Sequence, residues 1–445
     1  MNREAIRWAD AVRTRLWPVP ALAVSAAVAL GIALPGLDST VDGQLPEGVS
    51  VFLFSGGPEA ARAVLQAIAG SLITVTSLTF SLTVVTLQLA SSQFSPRLLR
   101  TFSADRFVHG TLALFLSAFA FALTVLRSVR GENSGHSPFV PEISVTVAFG
   151  LAIASVIGLV LFLAHLTREI RVETMMRTVN KETRDTMDRV FPTDRPAQGP
   201  APSPGAQSFR IQAGSSGFLT SYDEDALLHT AIEHDVVLRL DREPGSSLVQ
   251  GVPFATAWPL QAGTPIRSED KEALARDVNA AVTTGFERTS VQDVGFGFRQ
   301  LVDVAVRALS PGINDPTTAV HIIGHLSALL CRLAGRETGP ENLTDGDGRT
   351  RVALPLPTLT GLLDLAVTQI RHYGAADPLV ARRLLDLLRE LACCDTTNTL
   401  GPVLLDQLNL LRGAVTASAY LEPERQKLLE DMTAVSAVVR ADAET

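Results

Sequence analysis

The sequence predicts an α-helical integral membrane protein with four transmembrane helices, plus a cytosolic α+β region consisting of a small β-rich module followed by a helical domain. Composition, hydropathy and charge all point there. The 445 residues are 46% hydrophobic and only 19% charged, and mean hydropathy is +0.23, above what an ordinary soluble enzyme shows. The apolar excess is concentrated in the first 165 residues. Charge divides the chain the same way. Residues 1–190 carry 16 Lys+Arg against 14 Asp+Glu, and the remainder carries 22 against 32. An acidic distal half makes nucleic acid a poor partner, and none is expected.

Four apolar stretches are long enough to cross a bilayer, which takes about 20 mostly apolar residues. They are Pro18–Leu34, Val64–Ala90, Phe107–Leu126 and Ile143–Leu163, and His109 is the one ionisable side chain inside them. The first could also be read as a signal peptide. No clean small-x-small cleavage pattern precedes Pro35, so it is taken as a retained span. Arg3, Arg7, Arg13 and Arg15 precede span one, Arg97, Arg100 and Arg106 join spans two and three, and Arg168, Arg171, Arg177 and Lys181 follow span four. The positive-inside rule then puts both termini in the cytoplasm, against the dissent of Arg127 and Arg130.

Span two is the informative one. Gly56-Gly57-Pro58-Glu59 reads as a helix start, with Pro at the first position and Glu at the positive end of the dipole. No further proline occurs until Pro96, so one helix over 58–94 is predicted, roughly 55 Å long at 1.5 Å per residue. That exceeds a hydrocarbon core of about 30 Å. At 100° per residue, Gly70, Thr74, Ser77, Ser81, Gln88 and Ser92 share one narrow sector, and Thr76, Thr79, Thr83 and Thr86 form a weaker line roughly opposite. Two readings stay open: a hydroxyl-lined pore wall shared between subunits, or helix packing through small and hydroxylated residues. With no carboxylate in any span and no break in the long helix, coupled active transport is disfavoured.

Residues 168–190 continue as a mixed-charge helical stalk, completing a membrane domain over 1–190. Residues 191–207, rich in Pro, Gly, Ala and Ser, read as a linker. Residues 208–262 alternate apolar and polar around a Pro-Gly turn at 244–245, which predicts a small barrel-like β module with one short helix over 223–233. Residues 268–445 read as a helical domain. Within it Ser310-Pro311-Gly312 stops one helix, Asp315 caps the next and Pro316 opens it. Residues 335–351 read as a flexible surface loop. His321 and His325 lie four apart, but the ligand set is too incomplete for a metal site. Cys331, Cys393 and Cys394 have no metal or disulfide spacing and read as reduced thiols of a reducing compartment. No catalytic constellation can be assembled, so neither enzyme activity nor a cofactor is expected.

The runs SLTFSLTVVTLQLASSQFSPRLLRTF and GFGFRQLVDVAVRALSPGINDPTTAVH, together with this layout, resemble one bacterial family. It is the predicted-membrane-protein family numbered twenty-two fifty-four among domains of unknown function. The resemblance implies a bacterial inner-membrane protein and carries no substrate or catalytic residues with it.

The expected function is a homo-oligomeric ion channel or passive pore of the plasma membrane, lined by Thr74, Ser77, Ser81, Gln88 and Ser92. Asp42, Glu47 and Glu59 would shape one mouth and Arg97 and Arg100 the other, with opposing charge preferences. The alternative is a membrane-anchored scaffold or signalling protein, for which Arg299, Asp303, Asn314 and Asp315 mark a cytosolic ligand or partner surface.

Overall fold

A computed structural model describes residues 17–41, 53–93, 105–131, 139–169, 172–197, 199–205, 207–261, 266–395 and 399–443. The chain divides into two compact units, Met1–Met175 and Met176–Thr445.

The first unit is built from α1 (Pro18–Val41), α2 (Pro58–Gln93), α3 (Arg106–Leu126) and α4 (Glu142–Glu169). Each contains one of the four apolar stretches and outruns it at one end or both. In α2, the missing N–H of Pro58 costs nothing in the first turn and Glu59 faces the helix dipole. Its 36 residues span about 54 Å. Small residues set the closest approach of α1 to α3. A Cβ on Gly31 would lie 2.8 Å from the Thr124 Cβ. The core at one end gathers Leu65, Ile68 and Leu72 of α2, Phe121 and Val125 of α3, and Val145 of α4. Val108, Leu112 and Phe162 form a smaller core with Leu82 and Leu166. Arg130 and Phe139 exchange both backbone hydrogen bonds (3.0 and 3.1 Å), closing the link from α3 to α4.

The second unit starts within α5 (Val172–Val190), the helix predicted as a solvated stalk. From Met176 onward it is part of a core, with Met176, Val179, Met187 and the following Phe191 all buried. Asp188 receives Arg332 at 2.9 Å and Arg336 at 2.8 Å, and these cations hold its carboxyl below the usual range. The Pro-rich segment after it is strapped down: Arg195 donates to the carbonyls of Glu337 and Pro340 at 3.1 Å, and Asn342 to that of Gly199 at 2.8 Å.

Two sheets follow. The first has the order β1 (Phe209–Gln212), β5 (Pro253–Pro259), β3 (Val236–Leu240), β8 (Thr350–Leu354) and β7 (Glu341–Thr344). It is antiparallel except for β3 and β8, which run parallel with Leu238 opposite Val352. The second pairs β2 (Gly217–Tyr222) with β4 (Ser247–Leu248) and β6 (Val282–Gly285). The short helix predicted over 223–233 is α6 (Glu224–Glu233), capped by Asp223. The strands expected to form a module over 208–262 thus share sheets with β6, β7 and β8, which come from the region read as helical. Residues 335–351 are not a loop. They contain the start of a β-hairpin whose turn is fastened by Asp345, which accepts from the backbone of Asp347 and Arg349 and pairs with Arg351 at 2.7 Å. Gly348, with φ of 76°, supplies the left-handed residue this turn needs.

Beside the sheets, after α7 (Ser268–Ala281), stand six helices: α8 (Val294–Ala308), α9 (Pro316–Ala334), α10 (Leu359–Gly374), α11 (Pro378–Cys394), α12 (Gly401–Ala417) and α13 (Glu422–Ala443). They form three hairpins stacked in two rows, α8 against α10 against α12, and α9 against α11 against α13. The sequence repeats with them. Leu301-Val302-Asp303, Leu362-Leu363-Asp364 and Leu404-Leu405-Asp406 recur in the first helices, and Asp315-Pro316, Asp377-Pro378 and Glu422-Pro423 open the second. Leu301, Leu362 and Leu404 are each buried at equivalent positions, as are Ala305, Ala366 and Leu408 one turn on. Each hairpin buries its apolar face on its neighbour, as in helical-repeat proteins.

The GFGF motif seats α5 on this stack. A Cβ on Gly297 would fall 1.9 Å from the Thr183 hydroxyl, which is itself fixed by a 2.6 Å bond to the Val179 carbonyl. Gly297→Val is expected to lower stability by about 1–3 kcal/mol, whereas Gly312→Ala, in open space, is expected to be neutral. Thermal unfolding of the two purified variants measures the contrast.

Candidate functional site

The two hydroxyl lines of α2 have different surroundings. Thr76, Thr79, Thr83 and Thr86 point into the first unit and are buried at 0–8% exposure. Three of them donate back to their own helix: Thr76 to the Leu72 carbonyl at 2.7 Å, Thr83 to that of Thr79 at 2.8 Å, and Thr86 to that of Leu82 at 2.8 Å. The Thr79 hydroxyl is buried without a hydrogen-bond partner. This line is the packing face, where a hydroxyl that bonds its own turn presents its methyl to the neighbour.

Thr74, Ser77, Ser81 and Gln88 are exposed, on the side of α2 that turns away from α3 and α4. Thr74 donates to the Gly70 carbonyl at 3.1 Å. The flanks of this stripe, Ile73, Leu78, Phe80, Val84 and Val85, are 36–55% exposed. Ser92 lies in the last turn of α2, and its side chain falls outside the described residues. Of the mouth residues, Asp42, Glu47, Arg97 and Arg100 also fall outside them. Glu59 is exposed in the first turn of α2, near Gly131, and one turn later Arg62 donates to the Val129 carbonyl at 3.1 Å.

Two polar contacts in this unit have no signature in sequence spacing. Asp38 lies on α1 and is buried. It accepts from the backbone of Ile143 (2.9 Å) and Ser144 (3.1 Å) and from the Ser144 hydroxyl (2.6 Å), so it caps α4 from another helix. Toward the other end of α4, His165 meets Asp105 at 2.6 Å while Asp105 caps α3.

The four residues marked as a partner surface have different local roles. Arg299 donates to Gln369 of α10 at 3.1 Å. Asp303 lies one turn on, partly buried, and it too is engaged. Asn314 is exposed in the left-handed region, with φ of 51°. Asp315 caps α9, accepting from the Thr318 hydroxyl at 2.6 Å and the Thr318 amide at 3.1 Å, and these bonds lower its carboxyl below the ordinary range. A buried pair that sequence reading missed stands at the start of α8. Asp293 caps that helix and holds Arg288 through two bonds of 2.8 and 2.9 Å. Gly245, at φ of 88°, leaves that carboxylate its space, since a Cβ there would meet it at 2.0 Å. Among the described residues no group of three or more His, Cys, Asp or Glu converges as metal ligands would.

The comparisons place this architecture. The family model described as predicted membrane protein (DUF2254) matches residues 13–390. The chain belongs to that family. An uncharacterized protein of Mycobacterium tuberculosis and another of Mycobacterium bovis are each 36% identical over 392 residues, covering 87% of this chain and 74% of theirs. No solved structure matches.

Asp315→Ala is expected to cost about 1 kcal/mol, the usual worth of a helix cap. Because the folded carboxyl titrates below its ordinary value of 3.8, the cap's charge-dependent stability is complete above that value. It fades as pH falls through it. Acid unfolding of wild type and variant should therefore differ near neutrality and converge at low pH.

Proposed function

We propose that this family member is a subunit of a homo-oligomeric passive pore or ion channel of the bacterial plasma membrane. Its α2 helix would line the pathway through Thr74, Ser77, Ser81, Gln88 and Ser92. One observation carries the reading: the polar stripe of the longest apolar helix, Thr74, Ser77, Ser81 and Gln88, points away from α3 and α4, while the opposite threonine line meets the packing need inside the unit. A chain with an outward polar stripe gains by turning it toward copies of itself and water, not toward lipid.

Four spans with both termini in the cytoplasm fit this reading. Among the described residues five helices are long and apolar enough to cross a membrane, α9 being the fifth. The exposed face of α9 carries Thr317, His321, Ala328 and Arg332, whereas that of α4 carries Phe149, Ile153, Val156, Ile157 and Val160. The first pattern suits water and the second suits lipid. The second unit would then lie in the cytosol, joined to the last span through residues 170–171 and α5.

The stacked hairpins favour the rival, a membrane-anchored scaffold, because such arrays commonly present extended binding surfaces. A shallow groove along α13, lined by Glu422, Gln426, Leu429, Glu430, Thr433 and Ala437, is where a partner would rest.

Purified protein in planar bilayers separates the two. The pore reading expects discrete conductance that Ser77→Leu and Ser81→Leu reduce or abolish. Silence across voltage, pH and calcium, with a monomer or dimer in detergent, would leave the scaffold.

A further inference from the structure

The three cysteines are not equivalent once folded. Cys331 lies near the end of α9 and Cys394 is the last residue of α11, while Cys393 points to solvent. The two helices run parallel, as the alternate helices of a stacked hairpin pair must. Their register is fixed one turn earlier. The Ser327 hydroxyl donates to Glu390, 63 positions along the chain, and Glu390 is held in turn by Arg383 at 2.9 and 3.0 Å. Cys331 and Cys394 have the same separation as Ser327 and Glu390, so moving one turn along both helices brings the two thiols face to face. Cys394 and Ser327 are the neighbours whose side chains act on the Cys331 thiol. Adjacent Cys393 and Cys394, by contrast, point in directions about 100° apart on one helix.

We propose that Cys331 and Cys394 are a modification site: a reversible disulfide, formed by hydroperoxide-class oxidants, that staples the second helices of the first two hairpins. Both thiols are half-buried, and Cys394, the last residue of its helix, reacts first. Its thiolate attacks the peroxide oxygen, breaking the O–O bond, giving a sulfenic acid and releasing water or an alcohol once protonated. Cys331 then attacks that sulfur. The S–S bond forms, and hydroxide leaves and takes up the Cys331 proton as water. Two thiols are oxidised by two electrons and one peroxide is reduced. A dithiol reverses the bond by exchange, becoming a disulfide itself. Burial pushes the Cys331 thiol up to about 12, which keeps it protonated at rest and reserves it for the second step. None of this depends on the pore reading.

The test is peptide mapping of full-length purified protein after stoichiometric hydrogen peroxide, under non-reducing digestion. The expected result is loss of two thiols per chain and one intrachain crosslinked peptide joining Cys331 to Cys394. It should be retained in Cys393→Ser, absent in Cys331→Ser and Cys394→Ser, and reversed by dithiothreitol. The oxidised wild type and Cys393→Ser should also melt higher by roughly 5–10 °C, because the bridge closes a long loop. A Cys393–Cys394 bridge, a link between chains through Cys393, or retention of all three thiols would each overturn the assignment. The wild-type map alone decides among these, so a variant that misfolds does not blunt the test.

Discussion

A hydroxyl facing hydrocarbon must find a hydrogen-bond partner, and that constraint organises the first unit. In a helix it can return to the carbonyl four residues back, which leaves a methyl or methylene surface for packing. Thr76, Thr83 and Thr86 of α2 do this, Thr79 being the exception, and α3 and α4 close over the line. Among the described residues of this unit, nothing closes over the serines and Gln88 on the outer face. The helices α3 and α4 pack on the opposite side of α2.

The second unit answers to a different constraint. Its hairpins can each bury only one face alone, so they stack, and α5 joins the stack by the closest approach in it, Thr183 over Gly297. The helix α5 is therefore an integral part of the distal fold, with Met176, Val179 and Met187 buried in it. The Asp188 pairs with Arg332 and Arg336 fasten the other end of α5.

Much of this was legible in the sequence because local chemistry decided it. Pro58 and Pro96 bracketed a helix that runs over Pro58–Gln93, and Asp315-Pro316 marked a cap that forms as expected. What was not legible depends on partners far along the chain. Strand β8 gains its place by pairing with β3 more than a hundred residues earlier, so the module boundary at 262 could not reveal the shared sheet. The Pro-rich segment after residue 190 has a linker's composition, yet Arg195 and Asn342 tie it to the β7 region. Nothing near Asp38 in the sequence hints that it accepts from the amides of α4. The repeat was visible in principle, in three Leu-x-Asp runs each followed by an acid and proline, but its loops differ in length and so blur the period. For the outer stripe of α2, the sequence showed the polar sector and the fold shows which way it faces.

In the proposed pore this outer face meets water along a shared axis. Single cysteines placed at each position from 70 to 92, in a background with Cys331, Cys393 and Cys394 changed to Ser, can be probed in native membranes with a membrane-impermeant thiol reagent. A shared aqueous pathway predicts labelling with helical period that peaks at 74, 77, 81 and 88 and vanishes at 76, 79, 83 and 86. Labelling without period, or none along the 74–88 face, would contradict it.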